Sequence, residues 1–414
     1  MKDIDRIKNL AEKRDELGPS VYHLAIGDKE NKHAYHIFSP WSPDGSKLVF
    51  ASYDRENPVL DVGVLDLNSG VSSVIGQSTE WESHTVAFQQ WLGCQDRVVF
   101  KSGKESEFTI VNSDGSGSQK IQGNDFQPWY PSLDGKCIYG TTPYDLISTN
   151  DEILPRHDKG IIRYNLETGT QELVLSLDDA LAVMPNFEKY KDCHLYAKML
   201  VVHRKSGRLL FNLTNTFWDR DGVEPRVRCL ITMDEDGSNP AYLGTVHHHP
   251  NWHSSEDKVI GNFSDCNGKI RFGFYNGDGS GLLDYVPRST GAGHPTTSPD
   301  GKWICTDSKG GKDYDNSVTL YVPETGQQIF AAKFSAKSDS YPTFTSIDAR
   351  KEGETVLSAL IKAKDLNLWQ TQSHATWSRD GSAIIFNRDA GDGKGSQLYF
   401  VDVKETIEKS GVKS

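Results

Sequence analysis

FSPWSPDGSKLVF, residues 38–50, places an apolar strand, a tight Asp-Gly turn and a second apolar strand in thirteen residues, and the same arrangement returns down the chain. The copies are WLGCQDRVVF at 91–100, YPSLDGKCIYG at 130–140, VVHRKSGRLLFNL at 201–213, PNWHSSEDKVIGNF at 250–263, HPTTSPDGKWICTDS at 294–308 and HATWSRDGSAIIFN at 374–387. Each is a hairpin signal, because Gly, Asp and Ser supply the turn while β-branched and aromatic residues supply the strands. A further strand follows every hairpin: VLDLNSG, IVNSDG, RYNLETG, ITMDEDG, FYNGDG, LYVPETG and YFVDV. Four-stranded units recurring at roughly 40–50 residues predict an all-β, seven-bladed β-propeller, since one small sheet cannot cover both its faces and must stack on neighbours. Repetition also reconciles 414 residues with a single domain, a length at which one compact core usually divides.

Outward from the repeat, residues 21–408 form the expected propeller and residues 1–20 a short, charged helical extension. Two intervals, 171–200 and 328–373, exceed the repeat; the first, LSLDDALAVMPNFEKY, has partly helical character. The formal charge of -12 and a pI near 5.6, with no basic stripe, exclude a generic nucleic-acid binder. Six scattered cysteines lack CxxC spacing and read as reduced thiols, mostly packed in the core. No segment has the apolar length of a membrane span, and the N-terminus lacks the apolar run of a signal peptide, so the expected location is cytoplasmic.

The histidines fall in register with the repeat. Taking Ser42, Ser132, Arg204, His253, Ser298 and Ser378 as turn origins, the residue four positions earlier is Phe38, Pro128, Leu200, His249, His294 and His374. Histidine is therefore not demanded by the fold, and its recurrence in the last three blades has a local cause. The position is expected to open the innermost strand, so that adjacent blades aim equivalent side chains toward one place. Three imidazoles there would suit a transition metal, and Gln372, two residues before His374, shares its strand face. The plainer alternative is that these are buried turn or core histidines bonded to carbonyls. His248 and His253 are alternatives to His249, and Trp41, Trp252 and Trp377 are explained by packing between blades.

HHHPNW, GAGHPTTSPDG and WQTQSHATWSRDG, in this order, resemble the oligogalacturonate lyases, a family of seven-bladed propellers. The resemblance implies that His249 abstracts a proton and that His294 and His374 are metal ligands, with manganese the expected ion and zinc or calcium as alternatives. The family carries two histidines separated by one residue near its C-terminus, preceded by a glutamine. Here Gln372 stands at the earlier histidine, replacing an imidazole by an amide, and the family glutamine aligns near Trp369 or Gln370. HAYHIFSPWSPDG and SHTVAFQQWLG also resemble ulvan lyases, which implies His84, Tyr190 and Arg204 as loose counterparts; the SPDG turns resemble TolB-type repeats.

The implied chemistry is β-elimination on an acidic oligosaccharide, with no nucleic-acid or membrane partner. A histidine removes the C5 proton of a uronate, a cation offsets the charge gathering on the carboxylate, and Arg228 or Arg226 neutralises more of it. Solvated strand-end charges explain the two arginines equally well. Two other classes stay open: a propeller that binds a glycan or protein without catalysis, and a hydrolase or epimerase using the same residues. No Ser-His-Asp nucleophile motif, phosphate loop or HExxH helix is present.

Overall fold

The computed structural model describes residues 1–54, 57, 59–80, 86–103, 106–143, 157–215, 225–291, 293–309, 316–334, 372–389 and 395–412. Its strands form seven antiparallel sheets, and the fold is a seven-bladed β-propeller. In six blades the hairpin read from the sequence is the first two strands, and every following motif is the third; in blade 1 the first strand is Glu30–Lys32, and the first arm of the 38–50 hairpin supplies only the bridge from Trp41 to Leu48.

The turns give an internal ruler. In each blade one backbone N–H reaches the carbonyl five residues on: Ser42 to Lys47, Leu92 to Arg97, Ser132 to Cys137, His203 to Arg208, His253 to Lys258, Ser298 to Trp303 and Ser378 to Ala383. The origin in the fourth blade is thus His203, one residue before the Arg204 read from sequence. The counterpart of His249 in that blade is Met199 rather than Leu200. Where the origin is Ser, its hydroxyl donates to an Asp two residues on, as from Ser298 to Asp300 at 2.6 Å, and accepts the N–H that closes the turn. The next residue must take a left-handed backbone, which is why Gly45, Gly135, Gly301 and Gly381 stand there, all with φ near +70°.

Chain contacts divide the molecule into two units, residues 1–122 with 292–414, and residues 123–291. The first unit holds blades 1, 2, 6 and 7. Its blades pack through alternating residues, as strand geometry requires. In Ala383–Asp389, Ile384 and Phe386 join Trp303, Cys305, Val318 and Leu320 of blade 6, whereas Ala383 and Ile385 join Trp41, Leu48 and Phe50 of blade 1. Tryptophans one residue before the origin tie blades together: Trp91 Nε1 donates to Pro40 O at 2.8 Å and Trp377 Nε1 to Thr296 O at 3.2 Å.

Blade 7 is built from both chain ends. Val21–Leu24 pairs with Ser396–Asp402, so the N-terminal segment supplies the outer strand that the C-terminal segment lacks. The stretch 1–20, expected to be helical, is a helix only over Asp3–Lys8; Glu12–Lys13 pairs with Tyr22 and His23 as a fifth strand. Ile4 and Ile7 bury the helix against Tyr22, Leu24 and Phe400, each fully buried side chain of this kind contributing about 1.5–3 kcal/mol. A second helix, Val403–Ser410, is capped by the Asp402 carboxylate on the Glu405 N–H.

The second unit holds blades 3, 4 and 5. Its long interval contains the helix Leu177–Ala182 and a 3₁₀ turn at Phe187–Tyr190, in agreement with its expected helical character. Trp252 Nε1 donates to Val201 O at 3.1 Å, repeating the Trp bond of the first unit. The other long interval lies outside the described residues from 335 to 371, together with His84, Trp369 and Gln370. The six cysteines are free thiols: Cys193, Cys229 and Cys305 are buried, Cys137 half-buried, and Cys94 and Cys266 exposed. Among the described residues no helix is long and apolar enough to cross a membrane.

Candidate functional site

The first unit gathers most of the predicted donors into one buried cluster. His294 and His374 do not open regular strands; each lies two residues before a short one, Thr296–Thr297 and Thr376–Trp377. Their rings meet edge to face with centroids 4.7 Å apart. Gln372 joins them, its Oε1 3.0 Å from His374 Nε2. Two donors bonded side by side to one ion at about 2.0–2.2 Å would stand at about that separation.

Asp307 holds the pair in place, and the sequence reading missed it. It lies on the second strand of blade 6, nine residues past the turn origin, and only 7% of it is exposed. One carboxylate oxygen accepts the His294 N–H at 2.8 Å and lies 2.8 Å from His294 Nδ1; the other accepts the His374 N–H at 2.7 Å. Burial alone would raise its pKa, but the neighbouring His294 and these N–H donors outweigh that and hold it below the usual carboxylate range. An ionised carboxylate only accepts, so His294 Nδ1 carries a proton, and in the neutral form of the ring the lone pair is then on Nε2. This is the outer-sphere arrangement that orients a metal-binding imidazole.

Three aromatic residues from the HAYH stretch before the first-blade hairpin complete the cluster. The Tyr35 ring lies 4.2 Å from His36, 5.2 Å from His294 and 4.9 Å from His374. His36 also lies 4.8 Å from His294. His33 is fully buried, and its backbone exchanges hydrogen bonds with the Asn387 side chain at 3.0 and 3.2 Å. Burial pushes the imidazole of His33 down to about 4 and that of His36 well below its ordinary value, so both are neutral at physiological pH. HAYH was the available signal for these residues; it was read only as a family likeness, because its spacing from His294 and His374 in the chain says nothing of contact.

Among the described residues, no group of three His, Cys, Asp or Glu side chains is placed to hold a metal ion. The donor types nonetheless fit a divalent transition ion: two imidazoles and an amide oxygen, with a buried carboxylate fixing one tautomer.

The remaining candidates lie in the second unit. His249 sits half-buried inside the strand His248–Trp252, at a bulge, with φ of 53°. Met199, Phe88 and His374, at the same place on the ruler, share that left-handed backbone while His294 does not, so histidine does not set the bend. Arg228 is buried and donates from Nη2 to His248 Nδ1 at 2.9 Å. His248 therefore carries its proton on Nε2, and its ring stacks on His249 at 5.1 Å. His253 is a turn cap: its Nδ1 accepts the N–H groups of Ser255 and Glu256 at 3.2 and 3.0 Å, and burial lowers its pKa. It replaces the serine found at the origin in other blades. Arg226 and Arg204 are exposed, and Tyr190 ends the 3₁₀ turn.

No protein-family model matches this sequence, and no curated protein matches it. Solved structures do. An oligogalacturonate lyase in complex with manganese superposes with a TM-score of 0.66 at 14% identity, covering 95% of both chains. The oligogalacturonate lyase of Vibrio parahaemolyticus gives 0.65 at 14%, covering 95% of this chain and 96% of its own. A chain of the mitotic checkpoint complex gives 0.53 at 11%, covering 94% of each. At these identities the likeness is one of fold, and a propeller fold serves unrelated activities.

Proposed function

We propose that this chain is a metal-assisted lyase that cleaves short uronate-containing oligosaccharides by β-elimination. The observation that carries the reading is the clamped pair, His294 and His374 held on the two oxygens of buried Asp307 with Gln372 alongside. The carboxylate gives His294 Nδ1 an acceptor, so that in the neutral ring Nε2 is the nitrogen able to act as a ligand. The fold shared with oligogalacturonate lyases, one of them bound to manganese, supports the same reading.

His294, His374 and Gln372 would hold the ion, manganese first with zinc or calcium as alternatives. Bound there, a divalent cation supplies positive charge to a substrate carboxylate and so acidifies the neighbouring C–H. The C5 proton must pass to a neutral base, and the C4 substituent leaves as the C4–C5 double bond forms. His249 is assigned as that base. Its alternatives have Nδ1 committed, His248 to Arg228 and His253 to its own turn. Arg228 acts through His248 by holding its tautomer.

The test is direct. Protein loaded with Mn2+ is incubated with galacturonate, glucuronate and sulfated uronate oligosaccharides, and the ultraviolet absorbance of the unsaturated uronate is followed with and without chelator. Chelator-sensitive absorbance growth on one substrate is expected. No unsaturated product from any of them, with metal bound, would leave the fold without this activity.

A further inference from the structure

We propose that Lys198 binds a carboxylate of the uronate chain and so selects acidic over neutral oligosaccharides. The inference rests on the proposed reading only in taking an oligouronide as the ligand. Lys198 lies on the first strand of blade 4, Tyr196–Val202, five residues before the turn origin His203. His248 lies five residues before His253 on the first strand of blade 5. The pairing matches as well: Lys198 faces Asn212 and His248 faces Asn262, each asparagine nine residues past its origin. Each first strand then shifts register at a left-handed residue, Met199 or His249. In blades 2, 3, 6 and 7 the same place holds Ala87, Gln127, Gly293 and Ser373, so the fold does not require a basic group there.

The strand register shows what Lys198 stands beside. Cross-strand partners share a sheet face, so Tyr196, Thr214 and Arg228 form one row and Lys198 and Asn212 belong to the next row on the same face. Arg228 donates from that face to His248 at 2.9 Å, and the first strands of blades 4 and 5 lie against each other. Two buried cations, Lys198 and Arg228, therefore occupy the side of blade 4 that meets the strand carrying His249. Lys198 is only 5% exposed, so water and salt screen its charge little. Beside it, Asn212 is buried and commits Nδ2 to Met199 Sδ at 3.5 Å, while its Oδ1 meets no hydrogen-bond donor among the described residues. An ammonium for a carboxylate and a bare carbonyl oxygen for a hydroxyl are complementary to an acidic sugar.

The test measures binding apart from turnover. Mn2+-loaded protein carrying His249→Ala is titrated calorimetrically with trigalacturonate and with its methyl ester, alone and with Lys198→Met, Lys198→Gln or Lys198→Arg added. Methionine keeps the length and the burial, so the melting curve should stay near that of the parent. The preference for acid over ester should fall about 10–100-fold in Lys198→Met, the usual worth of a hydrogen bond to a charged group. Lys198→Arg should recover most of it, and Lys198→Gln, polar and nearly as long, gives the same reading if the methionine variant melts early. An unchanged preference in a folded variant, or equal weakening for acid and ester, would overturn the inference and leave the lyase reading standing. A preference that depends on Lys198 in a protein whose wild type makes no unsaturated uronate would do the reverse. A parent that binds acid no better than ester would overturn the inference outright.

Discussion

His294 in blade 6 and His249 in blade 5 occupy the same place counted along the repeat, and one difference between their surroundings lies on the facing strand. Nine positions past the turn origin, blades 4, 5 and 7 carry Asn212, Asn262 and Asn387, whereas blade 6 carries Asp307. Asn387 exchanges two neutral hydrogen bonds with the His33 backbone, and Asn262 donates to His248 O at 3.3 Å. Asp307 makes the same kind of backbone contact and adds a buried negative charge on an imidazole Nδ1. The lesson is that the repeat sets where a side chain starts, and the residue across the sheet sets what its chemistry is.

The largest effects should separate the two places. His249→Ala should retain bound metal and lose about 10²–10⁴-fold in turnover, the usual contribution of a positioned base, whereas His294→Ala and His374→Ala should lose the metal itself. Metal content and single-turnover rate, measured on the same preparations, decide it; metal lost equally from all three variants would dissolve the contrast.

Asp307→Asn makes blade 6 like its neighbours. The fold should survive, with one N–H donor left less well satisfied at a cost of about 1–3 kcal/mol. Metal affinity should drop about 10–100-fold because His294 loses its fixed tautomer. Equal affinity in the two proteins would mean that the charge serves packing alone. A smaller change is expected at Gln372, where Gln372→His should hold or tighten the metal and Gln372→Leu should loosen it several-fold, since imidazole is generally the better ligand for such ions. Identical metal occupancy at limiting Mn2+ in all three would make Gln372 a bystander.

The smallest effect sharpens the comparison with a second buried carboxylate. Asp3 faces Asp380 through reciprocal backbone bonds of 3.0 and 3.3 Å, and burial together with that like charge raises its pKa to about 6. A raised carboxyl stabilises the fold below its unfolded value near 4 and loses that contribution as pH climbs through 6. Asp307, depressed instead, contributes above the unfolded value and is lost as pH falls through its folded one. Asp3→Asn should therefore stabilise the protein at pH 8 by about 1–3 kcal/mol and make little difference at pH 4. Denaturant melts at the two pH values check the sign, and an effect confined to pH 4 would reverse it.

The sequence by itself determined the number and content of the blades. Hairpin turns and strand alternation are local, so residues a few positions apart suffice to read them, and the repeat multiplies a weak signal sevenfold. It also put His249, His294 and His374 in one register. The fourth-blade origin slipped by one because His203 caps its turn where the commoner origin is Ser, a substitution visible only through its hydrogen bonds. Only tertiary structure decided the site. Asp307, Tyr35 and His36 are brought to His294 and His374 by sheets stacked from distant parts of the chain, with Asp307 and His374 67 positions apart in sequence. No spacing in the sequence encodes such a contact, because it is set by how blades pack and not by the strand on which each residue lies.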